Sequence, residues 1–348
     1  MEGKALLFKY LGGVDAVPIC LDVEKEDDFV RAVKWLQPSF GGVNLEDIAK
    51  PKCFSILSKL QESLEIPVWH DDQQGTAVVI LAGLINAVKL VDKQLSEVRV
   101  SMVGAGAAST YTAHLIILAG VKPGNIVMCD SKGILHRERK NIRDEKKKWQ
   151  IALSTNAQNR KGGIAEAMEG ADVLIALSTP KPGTIRKEWV SRMENNSIVF
   201  ACANPLPEIW PWEAKEGGAR IVATGRSDFP NFPNQINNSL CFPGIFRGVL
   251  DVQSRCITDQ MCIEAAWELA RCAQEKGLDE ENLLPTMEQW EIYPRQAAAV
   301  GSKAVEQKVA RLQLQKEEIY KKSVSIILQV RKETQLLMER GFIPQPPE

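Results

Sequence analysis

The stretch Val98-Arg-Val-Ser-Met-Val-Gly-Ala-Gly-Ala-Ala-Ser109 decides the fold, because an apolar run ends there in a glycine-rich turn. Its first six residues predict a strand, and Thr110–Ala119 after the turn predicts a helix. Ile126–Asp130 predicts the next strand. Further apolar strands are predicted at Val173–Ala176, Ser197–Cys202 and Arg220–Thr224. Apolar strands that alternate with helices are typical of a doubly wound parallel sheet.

The glycine-rich turn has the composition of a dinucleotide-binding turn. Gly104 and Gly106 allow a tight bend and let backbone N–H groups approach a pyrophosphate at a helix N-terminus. Ser109, a small residue, stands where the third glycine is usual. Asp130 ends the next strand, where an acid bonds an adenosine ribose. Its charge favours NAD because it repels a 2′-phosphate, whereas Lys132 and the basic run after it leave NADP open.

The chain on either side of this pattern has a different character. Ala16–Leu21 predicts a buried strand, while Lys25–Leu36 and Cys53–Leu64 have helical spacing. Thr76–Leu90 predicts a long apolar helix, and the chain beyond Ile257 is predicted to be helical. The sequence therefore predicts an α/β protein with a mainly helical C-terminal part.

The composition excludes several classes of protein. With 348 residues, 45% of them hydrophobic and 25% charged, the chain has the make-up of a globular protein of about two domains. This excludes disorder, collagen-like repeats and a coiled-coil rod. The net charge of −1 provides no basic field to attract nucleic acid or an anionic membrane surface.

The cysteines indicate a reducing compartment. The eight cysteines are too few for a disulfide scaffold, and none forms a Cys-x-x-Cys pair. Cys20, Cys129 and Cys202 lie beside apolar runs and are expected to be buried. Met1–Phe8 lacks the shape of a signal peptide, and the apolar run Ala77–Val88 is expected to be too short to span a bilayer. We therefore expect a cytoplasmic protein.

Two acidic pairs follow predicted strands. Glu46 and Asp47 come after one strand, and Asp71 and Asp72 come after another. Strand ends meet at the carboxyl edge of such sheets, where ligands bind. Four carboxylates are unfavourable together unless a cation offsets their charge, and oxygen ligands suit Mg²⁺ or Mn²⁺. A metal site and ordinary acidic turns are both compatible with this spacing.

Several polar residues are candidates for binding a substrate. Asn204, and Asn238 in the Gln235–Asn238 stretch, lie in or near loops that follow strands. Asparagine donates a hydrogen bond to a carboxylate or a nicotinamide amide without adding charge, although it also commonly caps turns. Lys4 precedes an apolar run, where a partly buried lysine has a lowered pKa and acts as a base. Taken by itself, a lysine near the start of a chain is expected to face solvent.

These segments together resemble malic enzyme, the oxaloacetate-decarboxylating malate dehydrogenase, of the short bacterial and archaeal type. The resemblance runs from Met1 to about Arg311 and rests on seven ordered blocks, which a shared dinucleotide-binding unit alone does not explain. The matching blocks are Met1-Glu-Gly-Lys-Ala-Leu-Leu-Phe-Lys9, Gly41–Ile48, Ile66–Thr76, Val103–Ala108, Ala203–Ile209, Ala223–Asp228 and Asn237–Gly248.

The resemblance implies a fold and an activity. The fold is α/β, a doubly wound, Rossmann-type parallel sheet with a partial α/β N-terminal domain and a helical C-terminal extension. Residues 1–74 would be the remainder of the N-terminal metal- and substrate-binding domain, residues 75–300 the NAD(P)-binding domain and residues 301–348 the extension. The implied activity is oxidative decarboxylation of L-malate to pyruvate and CO₂ with reduction of NAD(P)⁺ by a homodimer that binds Mg²⁺ or Mn²⁺.

The resemblance also implies roles for individual residues. The catalytic lysine would be Lys4, paired with Asp71. Asn204 and Asn238 would contact the substrate. The implied metal ligands are Glu46, Asp47 and Asp72. The implied cofactor-binding residues are Gly104, Ala105, Gly106, Ala107, Ala108, Asp130 and Asn204.

Three features depart from the family pattern. The family carries a Tyr-Thr-Pro-Gly-Val-type motif, whose tyrosine is the general acid, ahead of the block that contains Lys4. The sequence begins after that motif, and none of Tyr10, Tyr111, Tyr293 and Tyr320 lies in one. Phe229-Pro-Asn231 is repeated as Phe232-Pro-Asn234, which is expected to shift the loop before Asn238. The bulky Tyr111 in the dinucleotide helix is expected to point outward.

Two other functions compete with this interpretation. Without the tyrosine motif, the chain is also interpretable as a catalytically impaired fragment or a non-catalytic NAD-binding subunit. Another dehydrogenase of the same fold, such as one acting on amino acids, is the third alternative. The paired carboxylates argue against it, because amino-acid oxidation needs no metal. Malate-dependent turnover separates the first two interpretations, and sensitivity to a chelator separates the third.

Overall fold

Helices and short strands alternate along residues 1–345, which the computed structural model describes. The helices are α1 Glu2–Gly12, α2 Glu26–Leu36, α3 Lys52–Ser63, α4 Thr76–Leu90, α5 Ala107–Leu118, α6 Lys146–Ser154, α7 Ile164–Met168, α8 Lys187–Val190, α9 Pro211–Glu216, α10 Phe242–Asp251, α11 Asp259–Gly277, α12 Ile292–Glu306 and α13 Lys316–Glu339. The strands are β1 Val43–Leu45, β2 Val68–His70, β3 Val100–Val103, β4 Ile126–Asp130, β5 Gly133–Ile134, β6 Val173–Ala176, β7 Ile198–Ala201 and β8 Ile221–Thr224.

The chain folds into two compact units that do not follow sequence order. Unit 1 comprises Met1–Asp71, Asn238–Leu269 and Thr286–Glu348. Unit 2 comprises Asp72–Asn237 and Ala270–Pro285. The three consecutive domains expected from the sequence, 1–74, 75–300 and 301–348, remain a prediction about family domains rather than about these compact units.

Unit 2 is built on a six-stranded sheet with the order β5-β4-β3-β6-β7-β8. All neighbouring pairs are parallel except β4 and β5. From β3 the chain forms β4 on one side and then returns to form β6 on the other side of β3. Ligands of doubly wound folds bind at such a switch point, beyond the carboxyl ends of the strands. The predicted doubly wound, Rossmann-type sheet is therefore confirmed.

The strands of unit 2 are apolar because both faces of the sheet are covered. Every residue of β3, β6, β7 and β8 is buried. One core cluster contains Val103, Leu174, Val199 and Val222, one residue from each of these four strands. Burial of each such side chain contributes roughly 1.5–3 kcal/mol to folding. A continuous apolar run in a strand therefore corresponds here to a central strand of a covered sheet.

Helix α4 is the apolar helix predicted over Thr76–Leu90, with the same bounds. A π-helical turn, Asp71–Gly75, precedes it, so that the helical stretch reaches 20 residues. In the described chain this is the one helix long and apolar enough to cross a membrane, whereas the sequence led us to expect none. Its apolar window is 83% buried inside the protein, which is typical of a core helix.

Unit 1 combines a two-stranded parallel sheet with packed helices. Strands β1 and β2 pair in register from Val43 with Val68 to Leu45 with His70. Helices α2 and α3 pack together and, with the two strands, form a separate apolar cluster. Helices α1, α10, α12 and α13 form the second part of the unit. There Phe8 packs against Phe242, with ring centroids 4.6 Å apart.

Two expectations for the N-terminal region are wrong. Ala16–Leu21 forms no strand, because Val17 and Ile19 are exposed and Pro18 lacks an N–H group for a strand ladder. Cys20 is accordingly exposed rather than buried. The first residues form helix α1, which the sequence did not predict.

Candidate functional site

Lys4 lies at the centre of a charged cluster in unit 1. It projects from helix α1, and its Nζ atom lies 2.5 Å from Asp71 Oδ2 and 3.2 Å from Glu46 Oε1. The same ammonium group lies 4.4 Å from the centre of the Phe242 ring. Only 17% of the Lys4 side chain is exposed, so Lys4 is not the solvent-facing lysine that its position alone suggested.

Asp71 is the buried anion of this cluster. Its side chain is 0% exposed, and its Oδ1 atom accepts a hydrogen bond from Trp69 Nε1 at 3.0 Å. Trp69 lies in strand β2, and Asp71 begins the π-helical turn directly after that strand. The sequence interpretation missed Trp69, although its place two residues before Asp71 was a usable signal.

The charges around Lys4 decide its protonation. Burial lowers the pKa of Lys4, but the neighbouring carboxylates of Asp71 and Glu46 raise it more, so that its pKa lies above the ordinary value. The lowered pKa expected for a partly buried lysine is therefore wrong for this state. Lys4 is held as an ammonium ion, and it accepts a proton only when the charge of its two carboxylate partners is offset.

The predicted metal ligands are distributed over both units. Glu46 follows strand β1 and accepts a hydrogen bond from Asn44 Nδ2 at 3.0 Å. Asp47, the next residue, is exposed and has a left-handed backbone with φ of 55°. Asp72 is the first residue of unit 2. Between residues 1 and 345, no three His, Cys, Asp or Glu side chains are arranged ready to hold a metal ion.

The chemistry of these groups nevertheless suits a hard cation. They are carboxylates, and Asn44 Oδ1 is a buried oxygen next to Glu46 that has no hydrogen-bond partner. An acceptor oxygen without a donor is unfavourable in the interior unless a cation or a water molecule reaches it. The donor set at the end of β1 therefore fits Mg²⁺ or Mn²⁺.

The glycine-rich turn of unit 2 has the shape that its sequence predicted. Gly104 has φ of 107°, and a Cβ atom there would lie 2.2 Å from the backbone oxygen of Leu177. Helix α5 starts directly after Gly106, three residues earlier than predicted. The free backbone N–H groups of its first turn and the absence of side chains at the two glycines leave room for a pyrophosphate.

Asp130 ends strand β4 as predicted, but it is already engaged by cations. Arg139 Nη2 donates to both of its oxygens, at 2.7 and 2.8 Å, and Lys148 Nζ lies 3.2 Å from Oδ2. Burial raises the pKa of Asp130, but the hydrogen bonds from Arg139, Lys132 and Lys148 outweigh it, so that its pKa lies below the ordinary value. The sequence indicated a basic run here without identifying the partners of Asp130.

The loop that contains Asn204 is fixed by Glu208. This buried carboxylate accepts hydrogen bonds from Ser178 N at 2.7 Å and from Ala203 N at 3.1 Å. It thereby ties the end of β6 to the end of β7, one residue before Asn204. Arg226 Nη1 adds a bond of 2.8 Å to the backbone oxygen of Pro205. The sequence interpretation did not recognise Glu208 as the organising residue of this loop.

The remaining site predictions are located as follows. Asn238 begins a short 3₁₀ turn of unit 1 and is half-buried.

The repeated Phe-Pro-Asn segment contributes Phe229, whose ring packs edge-on against the stacked rings of Trp210 and Trp212. Tyr111 is half-buried beside His114, with ring centroids 5.8 Å apart, rather than simply pointing outward.

The structure therefore brings together some of the predicted residues within each unit. In unit 1, Lys4, Glu46 and Asp71 are in direct contact, whereas Asp47 is exposed. In unit 2, the glycine-rich turn and Asp130 belong to the neighbouring strands β3 and β4. Which residues carry the chemistry stays a prediction, and the structure shows the hydrogen bonds that orient Lys4, Asp71 and Asp130.

Comparisons with known proteins agree with this architecture. Residues 73–305 match the family described as malic enzyme, NAD binding domain, and residues 1–61 match malic enzyme, N-terminal domain. The crystal structure of Entamoeba histolytica malic enzyme is 49% identical and superimposes with a TM-score of 0.96, covering 99% of this chain and 72% of that chain.

Curated relatives of the chain are also malic enzymes. The chain is 47% identical over 89% of its length to the NAD-dependent malic enzyme of Geobacillus stearothermophilus, and 46% identical over 93% to the bifunctional malic/malolactic enzyme of Bacillus subtilis. It spans 63% of the first relative's length and 77% of the second's. Because the two malic enzyme family models together match most of its residues, the chain belongs to the malic enzyme family.

Proposed function

We propose that the protein catalyses oxidative decarboxylation of L-malate to pyruvate and CO₂, with reduction of NAD(P)⁺ and with Mg²⁺ or Mn²⁺. The observation that carries this proposal is the contact of Lys4 with Asp71 and Glu46 in a member of the malic enzyme family. A shielded ammonium–carboxylate pair next to metal-type oxygen ligands suits a reaction that moves a hydroxyl proton beside a cation.

The reaction needs one proton acceptor and one proton donor from the protein or solvent. Malate loses the C2 hydride and the hydroxyl proton, the C4 carboxylate then leaves as CO₂, and C3 gains a proton. When bound, the nicotinamide would supply the hydride acceptor, and the cation would supply a Lewis acid at the C2 oxygen that favours loss of CO₂. Lys4 receives the hydroxyl proton, and Asp71 holds its Nζ atom in position.

Acidic side chains would hold the cation. We assign this role to Glu46, Asp47 and Asp72, whose oxygens suit a hard divalent ion. A cation bound by Glu46 also offsets part of the negative charge that raises the pKa of Lys4. Binding of the metal and the readiness of Lys4 to accept a proton are then linked.

Unit 2 would hold the cofactor. The turn at Gly104 and Gly106, with the first residues of α5, receives the pyrophosphate, and Asn204 contacts the nicotinamide end and the substrate. Asn238 donates to a carboxylate of malate. The tight packing of Gly104 against the oxygen of Leu177 supports the assignment of the turn, and the hydrogen bonds of Glu208 to the Asn204 loop support that of Asn204.

A spectrophotometric assay tests the proposal. The chain is mixed with L-malate, Mn²⁺ and either NAD⁺ or NADP⁺, and formation of the reduced cofactor is followed together with pyruvate. We expect both products in equal amounts and loss of both on addition of a chelator. Cofactor binding without either product would instead support the non-catalytic alternative.

Variants locate the chemistry. We expect Asp72→Asn to abolish metal-dependent turnover and Lys4→Ala to reduce turnover by about 10²–10⁴-fold, the usual contribution of a positioned acid or base. Lys9→Ala is the matched control, because Lys9 lies on the same helix in an exposed ion pair with Asp15. Wild-type rates in both Asp72→Asn and Lys4→Ala would contradict the assignment of this site.

We also propose that the protein works as a cytoplasmic homodimer. Unit 1 exposes several large apolar side chains, including Leu6, Val17 and Trp35, and such surfaces commonly mark interfaces. Light scattering of the purified chain measures its mass. A monomeric mass at micromolar concentration would contradict the dimer.

A further inference from the structure

Helix α10 is fixed against helix α12 by two glycines that lie one turn apart. A Cβ atom at Gly244 would lie 3.0 Å from the backbone oxygen of Tyr293, and one at Gly248 would lie 2.5 Å from that of Ala297. The absence of side chains at these two positions allows the backbones of the helices to approach this closely. Helix α10 is therefore a rigid element of unit 1.

Helix α1, which carries Lys4, contacts α10 near both of its own ends. Near its start, the Lys4 ammonium group lies over the Phe242 ring, 4.4 Å from the ring centre. Near its end, a Cβ atom at Gly12 would lie 2.7 Å from the backbone oxygen of Pro243. The position of the Lys4 ammonium group therefore depends on how α1 is seated on α10.

Arg247 of α10 holds the C-terminal end of α1. Its Nη1 atom donates a hydrogen bond of 3.2 Å to the backbone oxygen of Gly13, the residue that caps α1. The carbonyl groups at the end of a helix have no partner within the helix, and a cation also complements the negative end of the helix dipole. Arg247 supplies both the donor and the charge.

Asp251 fixes the orientation of Arg247. The Nε and Nη2 atoms of Arg247 donate to the two oxygens of Asp251, one turn further along α10, at 3.0 and 2.7 Å. The Asp251 side chain is fully buried, and it also accepts from Ser323 Oγ at 2.9 Å and pairs with Lys322 Nζ at 3.1 Å, both in α13. A bidentate contact fixes the plane of the guanidinium group, so Nη1 keeps its direction towards Gly13.

We propose that Arg247 is a positioning residue of the reaction, which holds the end of α1 and thereby places Lys4 Nζ at Asp71 and Glu46. This inference rests on the proposed function, because it concerns the placement of the group that receives the hydroxyl proton. Gly13 lies about 13 Å along the helix from Lys4, so a tilt of roughly 5° displaces one end relative to the other by about 1 Å. A displacement of this size costs about 10²-fold in rate when it affects a reacting group.

Arg247→Met tests the proposal by removing the guanidinium group while it keeps an unbranched side chain. We expect kcat with L-malate and Mn²⁺ to fall by about 10–100-fold, because Lys4 is misplaced. The affinity for NAD(P)⁺ should stay within about twofold, because the glycine-rich turn belongs to unit 2. Unchanged kcat, or equal losses of kcat and cofactor affinity, would contradict the proposal.

Ile319→Val is the control for a general loss of stability. Ile319 is buried in α13 and packs against α12, so the substitution should lower the urea concentration at the unfolding midpoint. It leaves the contact between Arg247 and Gly13 intact, so kcat should stay within about twofold of the wild type. A loss of kcat as large as that in Arg247→Met would show that reduced stability alone explains the effect.

Gly12→Ala moves α1 without altering a charge. The new methyl group would overlap the backbone oxygen of Pro243, so α1 must shift on α10, and kcat should fall by about tenfold or more. Gly3→Ala is the matched control on the same helix, because no atom of the described residues lies within 4 Å of its Cβ position. Equal kcat values in these two variants would contradict the proposal, and this pair decides if Arg247→Met does not fold.

The Lys4 ammonium group also gives a readout that does not depend on turnover. The Phe242 ring shifts the resonances of the ammonium protons, because they lie over its face. In the full chain labelled with ¹⁵N-lysine, the Lys4 Nζ signal is the one that Lys4→Ala removes. We expect this signal to move in Arg247→Met and in Gly12→Ala, and to stay in place in Ile319→Val.

This readout separates the inference from the proposed function. A Lys4 signal that stays in place in both α1-disturbing variants, Arg247→Met and Gly12→Ala, would overturn the positioning role, whether or not the protein oxidises malate. A signal that moves as expected, in a protein that does not oxidise malate, would contradict the reaction and support the placement of Lys4 by Arg247.

Discussion

Lys4 and Asp71, 67 residues apart in the sequence, form an ion pair with 2.5 Å between Nζ and Oδ2. The pair joins helix α1 to the end of strand β2, and Trp69 Nε1 contributes a second hydrogen bond to the same carboxylate. Because Asp71 is fully buried, its charge depends on hydrogen-bond donors such as Lys4 and Trp69. The stability of unit 1 and the position of Lys4, the proposed catalytic lysine, therefore depend on the same contact.

Lys4→Ala should lower the stability of the protein as well as its rate of turnover. The substitution removes the Lys4 ammonium group from the buried carboxylate of Asp71, and breaking a buried pair in this way costs about 3 kcal/mol. Urea unfolding of the wild type and the variant measures this difference. Lys9→Ala, which removes an exposed pair, should change stability by less than about 1 kcal/mol.

The double variant Lys4→Ala/Asp71→Asn tests whether the charge of Asp71 causes the loss of stability in Lys4→Ala. Neutralising Asp71 removes the buried charge that Lys4 balances in the wild type, so the double variant should unfold at a higher urea concentration than Lys4→Ala alone. If the losses of unfolding free energy in the two single variants add up to the loss in the double variant, the two side chains do not interact.

Trp69→Phe should reduce stability by about 1–2 kcal/mol, because a buried acceptor loses its neutral donor. The altered orientation of Asp71 should also lower kcat while the affinity for the adenosine end of the cofactor stays unchanged, since Trp69 lies in unit 1. Steady-state kinetics and nucleotide titration measure the two effects. Trp35→Phe, at a side chain that is 73% exposed, is the control and should behave like the wild type.

Gly104→Ala should abolish dinucleotide binding. The new methyl group would overlap the backbone oxygen of Leu177, so the turn must move away from the position that it needs. Gly120→Ala is a well-matched control, because Gly120 also has a positive φ but nothing lies within 4 Å of its Cβ position. Calorimetry with NADP⁺ should show binding for Gly120→Ala and none for Gly104→Ala. Comparable binding by both variants would exclude a role for the turn.

Glu208→Gln should weaken the Asn204 loop. The amide group of glutamine places a donor opposite the N–H group of Ser178 or Ala203, which costs about 2 kcal/mol. Because Glu208 acts through the loop, KM for the cofactor should rise more than kcat falls. Glu216→Gln, which alters an exposed pair with Lys187, should change neither.

The pH dependence of Glu208 has a defined sign. Burial raises the pKa of Glu208, and the hydrogen bonds from Ser178 and Ala203 lower it less, so that its pKa lies above the ordinary value. The folded chain then holds this proton more tightly than the unfolded chain, and the stabilisation falls as the pH rises through the folded pKa. The difference in unfolding free energy between wild type and Glu208→Gln should therefore decrease over that range. A difference that increases with pH would contradict this environment.

Much of the fold followed from local sequence patterns. The apolar runs at Val100–Val103, Val173–Ala176 and Ile198–Ala201 became central strands because no polar face had to be accommodated. Ala16–Leu21 shows the limit of that argument. Its apolar composition suits a strand, but an isolated segment with Pro18 finds no partner for its backbone groups, and pairing is not encoded locally.

For the candidate site, too, the sequence identified some residues and only the structure showed the others. The resemblance to the malic enzyme family identified Lys4 and Asp71, whereas the glycine-rich turn and the strand after it identified Asp130. The partners that set their charge, Trp69 and Arg139, depend on how the chain folds back on itself. For this reason the raised pKa of Lys4 and the neutralised state of Asp130 emerged only from the structure.

The central claim is tested most directly with L-malate that carries deuterium at C2 and ¹³C at C4. In the presence of Mn²⁺ and of NAD⁺ or NADP⁺, the account predicts deuterium at the nicotinamide ring, ¹³C in released CO₂ and one pyruvate for each reduced cofactor. Lys4→Ala should slow all three signals together. Labelled CO₂ with lactate and no reduced cofactor, or reduced cofactor without labelled CO₂, would contradict oxidative decarboxylation by this protein.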